Sequence, residues 1–551
     1  MKATVKARLT LAIAVCAVLS CTSDPSLRPV PIEDIKVCGE LAERVARNFD
    51  RLEDEMYRPD SVFHSRLAQS WPGDAQGRIV LGLVCDAQAS GREPRYLSTI
   101  LQHYPRFMNE QGYFGPIFDG KLNEQQLSGN GWVLRGLCQY YEWSGDKKAL
   151  EMINSIVYNL FMKGKDLFKD YPIDPESRKK NLGDAIGEIV YNDNNWILSS
   201  DIGCIFIGME GLIHAYKILG HEELKELIDE LVDRFLEVDL TGIRAQTHAS
   251  LTACRGLIRL AEITGDESYI PEVQKRWELY RQYGMTAGYQ NYNWFCREDT
   301  WSEPCAVVDS YMVAVQLWMH TGDESYLDDA ELIYYNGICH NQRDNGGFGC
   351  DFCPSTVTGR TDIAVRTDEA SWCCTMRGAE GLESAVNYSY FRKGNELYIP
   401  FYTESRVKLD GGFELEQNTT YPFEESVRFR ILRRADINSV KLRVPVFAIN
   451  PEVSINSIPV AVEQNGNFLT VSGFTDNDEI CLTFELPVTG KIEENGMVKY
   501  HKGPMLLGSE NGSEEKTPLY HLMNPEVSKG SGYSKTILFS PDLIFEEDEE
   551  E

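Results

Sequence analysis

Thr264-Gly265-Asp266-Glu267-Ser268-Tyr269-Ile270 recurs almost letter for letter as Thr321-Gly322-Asp323-Glu324-Ser325-Tyr326-Leu327. Glycine commonly closes a helix in the left-handed conformation, and an aspartate just after it can cap the next helix. The stretch therefore reads as a tight corner between two helices. Looser copies stand at Ser90-Gly91…Tyr96-Leu97, Ser144-Gly145-Asp146…Leu150 and Leu219-Gly220…Leu224. Between corners, apolar residues recur at three- and four-residue spacing, as in Leu251, Cys254, Leu257, Ile258 and Leu260-Ala261. Five corners, plus an opening helical pair expected between Glu33 and Asp50, make about six helical hairpins over residues 32–388. Their irregular spacing argues against a tight solenoid. Six hairpins closing on themselves make a mainly α fold, an (α/α)6 toroid, with its long loops at one end.

Beyond this region the pattern changes. Short β-rich runs appear at Glu396–Tyr402, Ser426–Leu432, Val440–Val446, Phe468–Val471 and Glu479–Leu486, separated by turns such as Asp410-Gly411-Gly412 and Asn465-Gly466-Asn467. Residues 389–510 are expected to form a C-terminal antiparallel β-sandwich. Residues 511–551 form a final segment ending in the acidic run Glu546–Glu551.

A chain of 551 residues exceeds what one core usually serves, which agrees with two domains. The net charge of -30 argues against nucleic acid as a partner, because phosphate backbones call for clustered Lys and Arg. At the start, Lys2, Lys6 and Arg8 precede an apolar run from Leu9 to Leu19. Residues 1–20 read as a signal peptide. Val18-Leu19-Ser20-Cys21 resembles a bacterial lipobox, so Cys21 is the expected lipidation site and residues 21–31 a tether. The expected location is the bacterial envelope, as a periplasmic or outer-membrane lipoprotein that meets the membrane only through its lipid. Of 15 cysteines, Cys16 and Cys21 belong to the leader; the odd remainder does not suggest a disulfide framework.

The inter-helix loops are rich in aromatic and amide side chains. Trp71, Gln125, Asn194, Tyr292, Trp301 and His248 are the candidate substrate contacts. Aromatic faces stack on the C–H faces of sugars, while Asn, Gln and His make the directional bonds that hydroxyls require. The pattern points to an oligosaccharide cleft. Single tryptophans at hairpin ends are equally compatible with packing, and His248 with a structural histidine at a helix start.

One constellation carries distinct chemistry. Glu303-Pro304-Cys305 and the later Cys373-Cys374 supply a carboxylate and three thiols. Adjacent cysteines rarely bond to each other, but both can face one metal. Three thiolates and a carboxylate suit a tetrahedral Zn2+ ion. The alternative is three buried free cysteines and a solvated glutamate.

Trp301-Ser302-Glu303-Pro304-Cys305-Ala306, Cys373-Cys374, Glu396-Leu397-Tyr398-Ile399 and Gly503-Pro504-Met505-Leu506 together resemble the β-L-arabinofuranosidase family of glycoside hydrolases, family 127. That resemblance implies a helical toroid followed by β-sandwich material. It also implies zinc held by Glu303, Cys305, Cys373 and Cys374, with Cys373 as the nucleophile. Thr247-His248-Ala249-Ser250 is similar to the family's His-Ala-Asn-Thr helix start. The chain departs from the family in two places. Where the family carries its acid/base glutamate, this sequence reads Thr286-Ala287-Gly288-Tyr289, with no carboxylate. Glu298 is the candidate acid/base instead, ahead of Asp299, Glu124 and Asp193. After Cys373-Cys374 the sequence is Thr375-Met376-Arg377 rather than Pro-Pro-Asn. Cys350 and Cys353 form an extra pair that could join the site, hold a second metal or bond to each other. The expected function is retaining hydrolysis of a β-L-arabinofuranose-like or related pectic sugar. Two alternatives stay open: a toroid-type polysaccharide lyase using a Tyr/His pair, for example Tyr292 with His248, beside a structural zinc, and a non-catalytic glycan-binding lipoprotein.

Overall fold

The computed structural model describes residues 26–64, 70–178, 190–355, 357–360, 362–492 and 498–507. The signal peptide, Cys21 and the segment 511–551 lie outside the described residues.

Among the described residues, twelve long helices build the first region: α1 Gly39–Leu52, α2 Asp74–Ser90, α3 Leu97–Phe107, α4 Glu124–Ser144, α5 Lys147–Asn159, α6 Ile205–Leu219, α7 Glu222–Leu236, α8 Thr247–Thr264, α9 Tyr269–Tyr283, α10 Pro304–Thr321, α11 Ser325–Ile333 and α12 Cys374–Asn387. Helices α2, α4, α6, α8, α10 and α12 pack side by side in that order, and α12 returns to α2. They form a closed inner ring, and the other six lie outside it. All five expected corners are present. Gly91, Gly145, Gly220, Gly265 and Gly322 each follow a helix at φ between 64° and 73°. Asp146, Asp266 and Asp323 accept the backbone N–H two residues on, at 2.9–3.0 Å.

The sixth pair differs from expectation. No helical pair occupies 33–50; Ile35–Val37 is a strand, and only α1 follows it. The outer helix α1 packs on α12 and α2, so the two ends of the helical region join to complete the ring. A local reading cannot see this pairing, because more than 300 residues of sequence lie between the partners.

Inner helices are buried nearly all round, as a doubly covered layer requires. Along α4, every residue from Glu124 to Cys138 is buried. Between α4 and α6 the backbones nearly touch: a Cβ on Gly131 would lie 2.5 Å from the Gly208 Cα. Glycine is the residue that permits so close an approach.

The sandwich also differs in detail. One sheet runs Arg28–Pro29, Phe391–Lys393, Glu396–Ile399, Ser439–Arg443, Phe468–Ser472, Glu463–Asn465. The other runs Ile458–Pro459, Ile449–Ile455, Glu479–Glu485, Ser426–Arg433, Glu414–Asn418, Ser405–Lys408, Ile35–Val37. Alternation in Ser426–Arg433 sends Val427, Phe429 and Ile431 inward. The expectation of antiparallel pairing holds except between Glu396–Ile399 and Ser439–Leu442, which run parallel. The tether expected at 21–31 ends earlier: Arg28 and Pro29 pair with Arg392 and Phe391, and Val30 is buried. Backbone hydrogen bonds at a sheet edge hold this segment in place. At the other end, Val488–Ile492, Val498–Lys502 and Met505–Leu506 form a separate three-stranded sheet. It docks on the toroid through Asn336 to the Pro504 carbonyl and Lys499 to the Ala287 carbonyl. Toroid and sandwich are joined by buried Arg443, which pairs with Asp328 and Glu331 at 2.5 and 2.9 Å.

Candidate active site

The inner helices start at one end of the ring, and the functional side chains stand at those starts. Glu303 is the N-cap of α10 and Cys305 lies in its first turn. Cys373 is the N-cap of α12 and Cys374 its first residue. His248 is the second residue of α8, and Asp74 begins α2. Unpaired N–H groups and the helix dipole favour negative charge at these ends. They are therefore suited to carboxylates and thiolates.

A cavity of about 530 Å³ opens here. Trp71, Asp74, Arg78, Asp201, Gln246, His248, Trp301, Glu303, Cys350, Arg366, Trp372, Cys373 and Cys374 are among its lining residues. At its floor, one ligand atom each from Glu303, Cys305, Cys373 and Cys374 lies within 4.8 Å of all the others. The Sγ of Cys374 is 3.7 Å from that of Cys305 and 3.2 Å from that of Cys373. Sulfurs bound to a tetrahedral zinc ion at their usual distance stand about 3.8 Å apart. The spacing fits a metal ion, and this donor set is the only one of its kind among the described residues.

The electrostatics point the same way. Burial, with the charge of Cys305 second, pushes the Glu303 carboxyl well above its ordinary range. Burial also opposes ionisation of Cys305. Hydrogen bonds from Cys373 and Cys374 and the nearby Arg78 overcome it and bring that thiol well below its ordinary value. Cys373, bonded to Cys305, and Cys374, buried beside it, are both pushed up. Four acids this close can ionise together only around a cation, and Arg78 alone does not suffice. Its Nη1 reaches Cys305 at 3.4 Å, while Nε and Nη2 hold the two Asp74 oxygens at 2.7 and 3.1 Å.

Of the three clustered thiols, only Cys373 is partly exposed; Cys305 and Cys374 are buried. Beside them, His248 stacks on Trp132 at 5.8 Å, and its Nδ1 lies 2.9 Å from Asp309 Oδ2. Arg377, the hydrogen bond from His248 and Arg255 hold Asp309 well below the usual carboxylate range in spite of its burial. Burial pushes His248 below its ordinary value, towards the neutral form. A neutral imidazole facing a carboxylate carries its proton on Nδ1, so Nε2 is an acceptor. Among the described residues that Nε2 has no hydrogen-bond partner. Gln246 Nε2 reaches Glu303 Oε2 at 3.5 Å. Arg366 lies 3.6 Å over the Trp301 ring at the rim, and Trp372 stands 39% exposed beside it.

Trp71, Trp301 and His248 thus meet the four candidate ligands. The other sequence candidates do not. Gln125 is buried behind the cavity, donating to Ser199 Oγ at 3.2 Å. Asn194 sits at the exposed turn of the hairpin formed by Val190–Asp193 and Trp196–Ser199. Tyr292 donates to the Pro354 carbonyl at 3.1 Å and does not line the cavity. Its separation from the cavity removes Tyr292 with His248 as the example of a Tyr/His pair for the lyase reading. Glu298 is likewise absent from the lining; it stands half-buried near Tyr292. It lies within the turn Arg297–Thr300, closed by the Thr300 N–H on the Arg297 carbonyl. Glu124 is spent on a buried pair with Arg178, and Asp193 is on the outer hairpin. Cys350 lines the cavity, while Cys353 lies behind it against Gln290, and both are free. Sequence reasoning passed over Arg78, Asp201 and Arg366. Only Asp74 and Arg78 left a local signal, the four-residue spacing that pairs side chains on a helix.

Comparison with known proteins agrees with this geometry. A family model described as the β-L-arabinofuranosidase GH127 catalytic domain matches residues 209–387, and the GH127 middle-domain model matches 396–487. No curated protein sequence matches. Among solved structures, a GH127 beta-arabinofuranosidase, BT3674, superposes with a TM-score of 0.65 at 17% identity, covering 88% of this chain and 85% of that one. A GH127 β-L-arabinofuranosidase from Geobacillus stearothermophilus T6 gives 0.63 at 15% identity, covering 86% of each. A structure described as a glycoside hydrolase gives 0.64 at 14% identity, covering 88% and 84%. At these identities the structures speak for the fold.

Proposed function

The chain belongs to the GH127 family of β-L-arabinofuranosidases, and from that premise we propose a retaining glycoside hydrolase with Cys373 as its nucleophile. Its substrate in this reading is an oligosaccharide ending in β-L-arabinofuranose or a related pectic sugar of plant cell walls. The observation that carries the reading is the thiol cluster, in which Cys373 lines the cavity and alone is partly exposed.

Glu303, Cys305, Cys373 and Cys374 would hold one zinc ion, which when bound keeps thiols in their nucleophilic thiolate form. The remaining steps belong to the chain's own groups. Cys373 Sγ attacks the anomeric carbon and forms a thioglycoside, which water then hydrolyses. His248 Nε2 accepts a hydrogen bond from a sugar hydroxyl, held in that tautomer by Asp309. Trp71 and Trp301 offer apolar faces, and the buried floor excludes bulk water from the reacting carbon.

Incubation with defined arabinose-containing oligosaccharides, with product identification, tests the activity. The expected result is release of the terminal sugar with its configuration retained. Mass spectrometry should find a sugar adduct on the Cys373 peptide, and elemental analysis one zinc per chain. Inversion of configuration, or binding without turnover, defeats the reading; the latter result returns the glycan-binding alternative. The leader and lipobox support a second part of the proposal, a lipid anchor at Cys21 on a bacterial envelope membrane. No described helix is long and apolar enough to cross one. A mature N-terminus that begins elsewhere and carries no lipid defeats the anchor.

A further inference from the structure

The reaction above needs a carboxylic acid facing the nucleophile, and the stretch Thr286–Tyr289 supplies none. We propose that Asp201 is the proton donor and acceptor of this site. The inference rests on the glycosidase reading and adds a catalytic residue to it.

Ring position is the first argument. Cys373 opens α12, and Asp201 stands just before α6. In the order α2, α4, α6, α8, α10, α12, helices α6 and α12 are three places apart in a ring of six, and so lie opposite one another. A retaining glycosidase needs its nucleophile on one side of the sugar and its acid on the other. Asp201 lines the same cavity as Cys373, Glu303 and His248, and it is 1% exposed.

Its loop is braced. The Asp201 N–H donates to Ser199 Oγ at 3.2 Å, and its carbonyl accepts from the Cys204 N–H at 3.2 Å. The next carbonyl, of Ile202, accepts the Gln246 N–H at 3.0 Å. Gln246 in turn reaches Glu303, so the loop bearing Asp201 is tied to the cluster. Ser199 N–H is fixed on Glu124, whose pairing with Arg178 makes it a positioning residue.

Competing carboxylates fail on geometry. Burial pushes Asp74 up, yet Arg78 occupies both its oxygens. Glu303 belongs to the ligand set. Glu298, Glu124 and Asp193 do not line the cavity.

The step balances. A sulfur lone pair of Cys373 forms the C–S bond as the C1–O bond breaks, and its electrons stay on the departing oxygen. That oxygen takes the Asp201 proton and leaves as an alcohol. Water then attacks C1 and passes a proton to the Asp201 carboxylate, while the C–S electrons return to sulfur.

The test compares wild type and Asp201→Asn on a methyl and a nitrophenyl β-L-arabinofuranoside. The variant should lose about 10²–10⁴-fold in kcat/KM on the methyl glycoside. Its loss on the nitrophenyl glycoside should be far smaller, because that leaving group departs without a proton. Azide should restore turnover of the aryl substrate and yield a glycosyl azide. Equal losses on both substrates, or none, overturn the assignment. If wild type cleaves neither glycoside, the arabinofuranosidase reading on which this inference rests has failed. Thermal unfolding and metal content check that the variant is folded; if it is not, Asp201→Ser carries the same comparison.

Discussion

Two places inside the ring gather charge from several helices, and they resolve it in opposite ways. Deep in the toroid, Arg135 of α4, Glu210 of α6, Arg255 and Arg259 of α8, Asp309 of α10, and Arg377 and Glu380 of α12 form one buried network. Four guanidinium groups face three carboxylates, with contacts such as Arg135–Glu210 at 2.7 Å and Arg377–Asp309 at 2.6 Å. Charge is compensated within the chain. At the helix starts, three thiols and a carboxyl crowd together, and Arg78 reaches the Cys305 sulfur. Compensation there must come from outside the chain, and the sulfur spacing suits a metal ion. Asp309 links the two places, since it takes Arg255 and Arg377 from the network and His248 from the cavity. A buried network without its own compensation would destabilise the fold. The same deficit at the mouth suits the cluster to a bound cation.

This contrast can be broken from either side. The largest effect is expected at the mouth: Cys373→Ser should lower kcat on the order of 10⁴-fold or more, read on both a natural and an aryl glycoside. Its folding should change little, because the carboxylate and two thiols remain. Near-wild-type turnover by that variant, with zinc still bound, sinks the thiolate mechanism.

Asp309→Asn attacks the network. It leaves Arg255 and Arg377 short of a buried counter-charge, a loss of about 3–5 kcal/mol. Denaturant unfolding should show it as a lower midpoint. A stability equal to wild type means the network does not depend on this carboxylate.

A smaller change is expected for His248→Phe, which removes the unpaired acceptor but keeps a ring on Trp132. The kcat/KM should fall by about 10–100-fold, the cost of one hydrogen bond to substrate left unmade. An unchanged value removes His248 from the substrate contacts.

The smallest effect concerns pH. Burial and the nearby Arg259 lower His214, beside the network, to about 4. With its folded value below its unfolded one, it leaves stability intact above about pH 6.5 and costs stability as pH falls from there towards 4. Arg135, Arg259 and Arg255 hold Glu210 at about 2 against its burial, so its contribution fades only as pH falls from about 4.5 towards 2. His214→Gln should flatten the melting temperature between pH 6.5 and 4 and leave the lower limb alone. An unaltered upper limb assigns that slope to other groups.

Much of this molecule can be read in one dimension. The Gly-Asp corners predict helix ends to the residue because both causes are local: a left-handed glycine and an aspartate that bonds two residues on. Glu303-Pro304-Cys305 and Cys373-Cys374 likewise announce themselves, since adjacent donors share a helix start wherever that helix goes. The sandwich strands show through their period of two.

Other features were decided only by tertiary structure. The ring closes through α1 and α12, whose meeting leaves no trace in local sequence. Residues 28–30 belong to the sandwich because an open sheet edge lies within reach of their backbone, not because their side chains favour strands. Glu298 looked apt for acid duty through its nearness to Glu303 in sequence, but the loop carries it off the cavity. Asp201 sits 102 positions before Glu303, in a stretch with no motif, and the ring brings both to one cavity. Sequence determined the helices, their corners and the clustered thiol and carboxyl donors, which depend on neighbours along the chain. Which helix starts face each other across the cavity depends on closure of the whole ring, and that is a property of packing.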